Sequence, residues 1–174
     1  MSDLQMIIDC VAVLGAMARR LRRIEGRVRI QKIMYLLKRR GLPQLGSVYF
    51  EYHHYGPFSR TVADGLVEAV RIHVLHENRD NFDDEWQRFE YKRGPLASEY
   101  AGELDPQALK LIHDTLKHTG NVHWRTLELA ATIDYLEQRY QFPRDEARRH
   151  ALALKPACKP YQREAIELLS SLGL

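Results

Sequence analysis

The chain has 174 residues, of which 45% are hydrophobic and 28% are charged, and its formal net charge is +3. This length supports one hydrophobic core more readily than two, and the mixture of apolar and charged positions excludes a largely disordered chain. No apolar run reaches the roughly 18 residues that a membrane span needs, and no basic segment precedes the apolar start. We therefore expect a cytoplasmic protein that has no membrane partner.

Basic residues are concentrated in the first quarter of the chain. The cations there are Arg19, Arg20, Arg22, Arg23, Arg27, Arg29, Lys32, Lys38, Arg39 and Arg40. This part of the surface could attract phosphate or an acidic partner. An equally good explanation for the first four is a solvated helix end, because cations stabilise the carboxyl end of a helix.

The two cysteines predict no metal or redox site. Cys10 and Cys158 lie at opposite ends of the sequence, each inside a helical pattern and without a CxxC spacing. We expect both to be buried free thiols in a reducing compartment.

Two helices open the chain. The first is predicted from residue 2 to about residue 24, with Ser2 or Asp3 as its N-cap. The second begins after Gly26 and ends at Arg40, where Gly41 supplies a left-handed stop. Its apolar residues recur at the spacing of one buried face and are Ile30, Ile33, Met34 and Leu37. On this pattern Lys32, Tyr35 and Arg39 are predicted to lie on the opposite, exposed side.

The next segment predicts short strands around a third helix. Residues 48–53 alternate in the manner of a half-buried strand, and Tyr55, Gly56 and Pro57 then turn the chain. Ser59 is predicted to cap a helix to about residue 73. Residues 74–77 and 86–92 predict a second strand pair. This order of elements is typical of a winged helix-turn-helix.

The remainder of the sequence is predicted to be helical. Helices are expected after Asp105, near Trp124, after Pro143 and from Tyr161 onward. The predicted fold class is mainly α with a small β-hairpin. A winged-helix-like unit at residues 1–94 is followed by a C-terminal helical bundle at residues 95–174, packed on it as one compact domain.

The sequence contains no recognisable catalytic or metal-binding motif. His53 and His54 are adjacent on a strand and point to opposite faces, and His113 and His118 are five positions apart rather than three or four. No HExxH sequence, glycine-rich phosphate loop or nucleophile elbow is present. We therefore expect a protein that is not an enzyme, with no catalytic residues, no metal and no cofactor.

Nucleic-acid binding by the usual winged-helix surface is disfavoured. The third helix offers Arg60 and Arg71 but also Asp64 and Glu68, and carboxylates repel phosphate. The predicted wing tip adds the acidic residues Asp80, Asp83 and Asp84. If DNA is bound, the better candidate surface consists of Arg19, Arg20, Arg22, Arg23, Lys38, Arg39 and Arg40.

Protein recognition is the stronger prediction, because arginine and aromatic side chains are enriched at the energetic centres of interfaces. The predicted partner-binding residues are Arg29, Lys32, Tyr35, Arg39, His53, His54 and Tyr55. The alternative, that part of these aromatic residues fills the core between the strand and the second helix, stays open.

Two segments carry a resemblance to a known family. RIQKIMYLLKRRG followed by YFEYHHYGPFS resembles the YwgA-like uncharacterised bacterial family and, more distantly, the Panacea domain of SocA-like and phage-associated antitoxins. The residues that carry the resemblance are Gln31, Lys32, Tyr35, Tyr55, Gly56 and Pro57. A looser similarity covers residues 127–136 and 154–156.

This resemblance implies a small, mostly helical bacterial protein without known catalysis, whose Panacea-type relatives act through protein contacts. Two hypotheses follow. The first is a non-catalytic regulatory or antitoxin-like module that binds a toxin or a regulatory protein. The second is a winged-helix DNA-binding regulator of a defence or phage-related operon. A homodimer is compatible with both.

Overall fold

The computed structural model describes residues 2–81 and 87–174 and is mainly helical. The helices in this part are α1 (Asp3–Arg20), α2 (Arg27–Arg39), α3 (Arg60–Arg71), α4 (Ala97–Ala101), α5 (Pro106–Thr119), α6 (Trp124–Tyr140), α7 (Arg144–Leu154) and α8 (Gln162–Ser171). Short 3-10 turns occupy Pro43–Leu45 and Pro156–Tyr161. The strands are β1 (Ile24–Glu25), β2 (Glu51–His53), β3 (Gly56–Phe58), β4 (Leu75–Asn81) and β5 (Gln87–Arg93).

The predicted N-caps at the helix starts are confirmed. The Ser2 hydroxyl accepts a hydrogen bond from the Gln5 amide at 3.2 Å, and the Asp105 carboxylate accepts one from the Ala108 amide at 2.8 Å. Ser59 caps α3 in the same way, and Gly41 follows α2 with a φ of +84°. Helix α1 ends at Arg20, earlier than expected, because Leu21 has an extended backbone.

The strands form two small antiparallel sheets. The first has the order β1-β5-β4, with Ile24 opposite Tyr91. Strand β1 was missed by the sequence pattern because it is only two residues long. Of the predicted strand at residues 48–53, only Glu51–His53 pairs with a partner, which is β3. We call the β2–β3 pair the aromatic hairpin.

Helix α6 covers α2, and this packing corrects one prediction. The buried residues of α2 run without interruption from Ile30 to Leu37, so the helix is enclosed on more than one side. Lys32 is 2% exposed and Tyr35 is 3% exposed. The prediction that both lie on an exposed face is therefore wrong. Arg39, one turn later, is half-buried.

Helix α1 is the second centre of the core. Its residues from Cys10 to Ala18 are all buried, and it packs against α3, α4 and α5. Cys10 and Cys158 are buried free thiols, as predicted. Burial and the nearby Asp9 raise the pKa of Cys10 to about 12. Within residues 2–81 and 87–174, no helix is both long and apolar enough to cross a membrane.

Candidate functional site

The aromatic hairpin, together with Tyr49 just before it, carries a group of exposed side chains. Tyr49 is 70% exposed, Tyr55 is 49% exposed and Tyr52 is 37% exposed. His53 and His54 are also exposed, and their rings are in edge contact with centroids 4.8 Å apart. We call these five side chains the tip surface.

Side chains of α2 bind the backbone of β3 and of Ser59, which follows it. The Gln31 side-chain amide donates to the Ser59 carbonyl at 3.0 Å, and the Ser59 amide donates back to the Gln31 oxygen at 2.9 Å. One residue further on, the Lys32 Nζ donates to the Pro57 carbonyl at 2.7 Å. These contacts fix the chain from Pro57 to the start of α3.

A second buried lysine holds the turn of the hairpin. Lys155, which follows α7, donates from Nζ to the His54 carbonyl and to the Glu128 carboxylate, both at 2.7 Å. The side chains of Lys155 and Glu128 are 4% and 6% exposed. We call Lys32, Glu128 and Lys155 the lysine–glutamate cluster. Its two ammonium groups reach carbonyl oxygens on the two sides of the hairpin turn.

Burying the Lys155 ammonium against the Glu128 carboxylate is costly, because each ion loses its hydration, and Lys32 loses hydration as well. The Coulomb attraction and the charge-assisted hydrogen bonds to His54 and Pro57 offset this cost. Burial, together with the Glu128 carboxylate, raises the pKa of the neighbouring Cys158 to about 11, so this thiol stays protonated near neutrality. The contacts of the cluster position the backbone at His54 and Pro57.

Gly56 brings the hairpin into close contact with α6. Its φ is +86°, and a Cβ placed there would lie 2.5 Å from the Thr132 Oγ1 and 3.7 Å from the Lys32 Cε. Thr132 is itself fixed, since its hydroxyl donates to the Glu128 carbonyl at 2.7 Å. The glycine is thus required by both the backbone conformation and the space.

A second buried polar group lies further along α2 and α6. The Tyr35 hydroxyl donates to the Asp134 carboxylate at 2.6 Å, and the Arg39 Nε donates to the same oxygen at 2.7 Å. Burial and the Asp134 carboxylate raise the pKa of Tyr35. The Tyr35 ring contacts Tyr135, whose ring in turn lies 6.2 Å from that of Tyr52. Tyr35 therefore supports the tip surface from below.

The structure does not bring the predicted partner-binding residues together on one surface. His53, His54 and Tyr55 belong to the exposed tip surface, whereas Lys32 and Tyr35 lie beneath it. Arg39 is paired with Asp134, and Arg29 closes the end of α5 by donating to the carbonyls of Thr119, Gly120 and Val122. Direct contact of Lys32 or Tyr35 with a partner would require the hairpin to move.

Part of the predicted nucleic-acid surface is also engaged within the chain. Lys38 donates to the carbonyls of Leu45, Gly46 and Val48. Arg40 pairs with Asp114 at 2.9 Å, and Arg23 pairs with Glu25 at the same distance. Arg19, Arg20 and Arg22 are exposed, and in the described part of the chain they form no ion pair.

The cations of α3 are neutralised by their own helix. Arg60 pairs with Asp64 at 3.0 Å, and Arg71 pairs with Glu68 at 2.6 Å. A phosphate group that approached α3, as in the usual docking of a winged helix, would meet a carboxylate beside each of these cations. Of the acidic residues predicted for the wing tip, Asp80 lies in β4, whereas Asp83 and Asp84 lie outside the described residues, as does Trp86.

The residues that sequence reasoning missed come from α6 and the segment after α7. They are Glu128, Thr132, Asp134 and Lys155. A signal was available for the two acids, because Glu128 and Asp134 stand inside the apolar run LELAATIDYL, where a carboxylate is buried only if it has a partner. Nothing in the sequence paired them with Lys155 or Tyr35. Among the residues that the structure describes, no three His, Cys, Asp or Glu side chains are placed to hold one metal ion.

The buried Lys32 should make the stability of the protein depend on pH. Burial lowers the pKa of Lys32 to about 7; the Glu128 carboxylate opposes this shift and the Lys155 ammonium adds to it. The unfolded chain keeps this lysine protonated up to its ordinary pKa of 10.5. Between about pH 7 and pH 9 the unfolded state therefore binds more protons, and the free energy of unfolding should rise by up to about 1.4 kcal/mol per pH unit.

Urea denaturation of the wild type and of Lys32→Met at about pH 7, 8 and 9 measures this contribution. The variant should lack the rise, whereas Lys110→Met, which removes an exposed lysine from α5, should keep it. Equal slopes in the wild type and in Lys32→Met would show that burial does not perturb Lys32.

Comparison with known proteins adds one relative. No family model matches the chain. Over 116 residues it is 27% identical to the uncharacterized protein YwgA of Bacillus subtilis (strain 168), and the aligned region covers 66% of each protein. This supports the resemblance to YwgA-like proteins, whereas the resemblance to the Panacea domain stays a prediction. The name of this relative states no activity.

Proposed function

We propose that the chain is a non-catalytic regulatory or antitoxin-like module that binds another protein through the tip surface. The observation that carries this proposal is the contrast between the two sides of the aromatic hairpin. Its backbone is held by buried lysines at Pro57 and His54, while its aromatic side chains point into solvent.

This arrangement lowers the cost of binding. A recognition loop that is already ordered loses little conformational entropy when its partner docks. Tyrosine and histidine present a large contact area together with polar atoms, and tyrosine is among the residues that dominate interface energies. The exposed rings of Tyr49, Tyr52 and Tyr55 contribute little hydrophobic stabilisation to the isolated protein. A partner that covers them would bury this apolar surface and gain binding free energy.

The buried titratable groups support a non-catalytic role, because they are engaged by structural contacts. Lys32 and Lys155 face backbone carbonyls, and the Cys158 thiol is protonated near neutrality. A cavity of about 360 Å³ beside Asp134 is polar, but its arginines, Arg39 and Arg144, are already paired with carboxylates.

The resemblance to antitoxins makes the products of neighbouring genes the first partners to test. Binding of each purified product to the wild type, to Tyr52→Ala and to Tyr55→Ala is measured by titration calorimetry. We expect each tyrosine variant to weaken the complex by about 2 kcal/mol, or about 30-fold, as is typical of an aromatic residue at the centre of an interface.

Leu4→Ala is the matched control, because Leu4 is a large apolar residue that is 66% exposed at the start of α1. This variant should bind with wild-type affinity. The proposal fails if no product of the neighbouring genes binds, or if the tyrosine variants bind as tightly as the wild type.

A second candidate function is a winged-helix DNA-binding regulator. The order of α1, β1, α2, α3, β4 and β5, with the strand order β1-β5-β4, supports a winged-helix-like unit at residues 1–94. The paired cations of α3 disfavour the usual docking on DNA. Binding of a random DNA duplex at increasing salt tests this candidate, since each phosphate contact contributes a slope of about −0.9. Absence of a gel shift at low salt would eliminate it.

A further inference from the structure

A groove between α1 and α5 has properties that neither candidate function uses. It encloses about 280 Å³ and is lined by Ala16, Arg19, Arg20, Leu109, Ile112 and His113. None of these residues belongs to the tip surface. The floor is aliphatic and the rim carries two arginines, so the groove combines an apolar recess with positive charge.

The arginines of this groove are available to a ligand. Arg19 and Arg20 are exposed, and neither forms an ion pair or a side-chain hydrogen bond with the residues that the structure describes. The nearby Asp114 is occupied, because its carboxylate accepts from Arg40 at 2.9 Å. By contrast, the arginines of α3 are paired within the helix.

His113 adds a polar atom that lacks a partner. Its Nε2 is buried and has no hydrogen-bond partner in the described part of the chain. Burial, with the neighbouring Arg20 and Lys117, lowers the pKa of His113, so the ring is neutral near pH 7. A buried nitrogen without a partner is unfavourable, and a ligand that reaches it would remove this cost.

We propose that this groove binds an acidic segment of a partner protein, with one bulky apolar side chain in the recess and flanking carboxylates on Arg19 and Arg20. The guanidinium group matches a carboxylate in two parallel hydrogen bonds. The apolar floor distinguishes this ligand from a nucleic acid, since a phosphate backbone offers no aliphatic side chain to fill it. Lys117, whose charge acts on His113, increases the positive potential near the groove.

The probe is a fluorescein-labelled peptide of sequence Glu-Asp-Leu-Glu-Asp, and its binding is followed by fluorescence anisotropy at low ionic strength. A matched peptide with serine in place of leucine tests the recess. We expect the serine peptide to bind about tenfold more weakly, because it leaves the aliphatic floor uncovered.

The variant Arg19→Glu with Arg20→Glu should weaken peptide binding by at least about tenfold, since it replaces attraction by repulsion. The matched control is Arg139→Glu with Arg149→Glu, which makes the same charge change at two exposed arginines of α6 and α7 and should keep the affinity. Leu109→Asn, which alters the floor without changing charge, should weaken the leucine peptide more than the serine peptide.

Four outcomes overturn this proposal. They are failure of the leucine peptide to bind, equal affinity for the two peptides, equal loss in both arginine double variants, and displacement of the peptide by a random DNA duplex that binds more tightly through Arg19 and Arg20. The Tyr52→Ala variant should bind the peptide as the wild type does, so failure at this groove is distinguishable from failure of the tip surface.

Discussion

Replacing Glu128 by alanine is expected to lower the free energy of unfolding by about 3–5 kcal/mol. The carboxylate is buried and accepts from the Lys155 Nζ at 2.7 Å. Its removal leaves Lys155 as a buried cation without the carboxylate it contacts, and it removes the charge that opposes the lowered pKa of Lys32. The loss should be visible as a lower midpoint in urea denaturation with an unchanged slope.

Glu167→Ala is the matched control for this prediction. Glu167 accepts from the Arg163 Nε at the same distance of 2.7 Å, but both side chains are exposed, at 60% and 90%. An exposed ion pair contributes little to stability, so this variant should unfold close to the wild type. A similar loss in both variants would show that burial does not increase the contribution of Glu128 to the free energy of unfolding.

A triple variant separates stability from the positioning of the hairpin. Lys32→Met, Glu128→Leu and Lys155→Met together replace the lysine–glutamate cluster by apolar side chains of similar size. Such replacements of buried ions are often neutral or stabilising. The triple variant should therefore recover most of the stability lost in Glu128→Ala. It also removes the donors to Pro57 and His54, so hydrogen exchange in the aromatic hairpin should be faster than in the wild type.

The parts of the fold that the sequence predicted correctly are those that depend on local chemistry. Ser59 and Asp105 cap the helices that follow them, because a side-chain oxygen needs only the amide three residues later. Gly41 ends α2 for an equally local reason, its positive φ. The buried positions of α3 also follow from its helical period, with Val62 and Leu66 in the core.

The candidate site was predicted only in part, because it depends on contacts between distant segments. Lys155 reaches the His54 carbonyl across 101 positions of sequence, and Tyr35 reaches Asp134 across 99. Helical periodicity placed Lys32 and Tyr35 on an exposed face, since it contains no information on the second helix that covers α2. The looser resemblance in residues 127–136 and 154–156 covers Glu128, Asp134 and Lys155, but it assigned them no contacts and no place in a site.

The sequence predicts the exposure of some aromatic residues near the hairpin but not of all, for a similar reason. Alternation correctly separates Tyr49, which is exposed, from Phe50, which is 6% exposed. It also places Tyr52 on the same face as Phe50. Tyr52 is nevertheless 37% exposed, because the hairpin carries it to the edge of the core, where it contacts Tyr135.

Gly56→Ala is expected to cost more than any other glycine replacement at a positive φ in the described part of the chain. Alanine at a φ of +86° costs about 1–2 kcal/mol in backbone strain. The new Cβ would also lie 2.5 Å from the Thr132 Oγ1, and such overpacking adds about 1–3 kcal/mol. The total loss in the free energy of unfolding should be about 2–5 kcal/mol.

Gly41→Ala isolates the backbone part of this loss. Gly41 has a φ of +84°, and nothing lies within 4 Å of an added Cβ, so only strain is expected there. Combining Gly56→Ala with Thr132→Ala removes the close contact, and the cost of the glycine replacement in that background should fall to the value for Gly41→Ala. If Gly56→Ala costs no more than Gly41→Ala in the wild-type background, the hairpin is free to move away from α6. The lysine–glutamate cluster would then not fix the position of the tip surface.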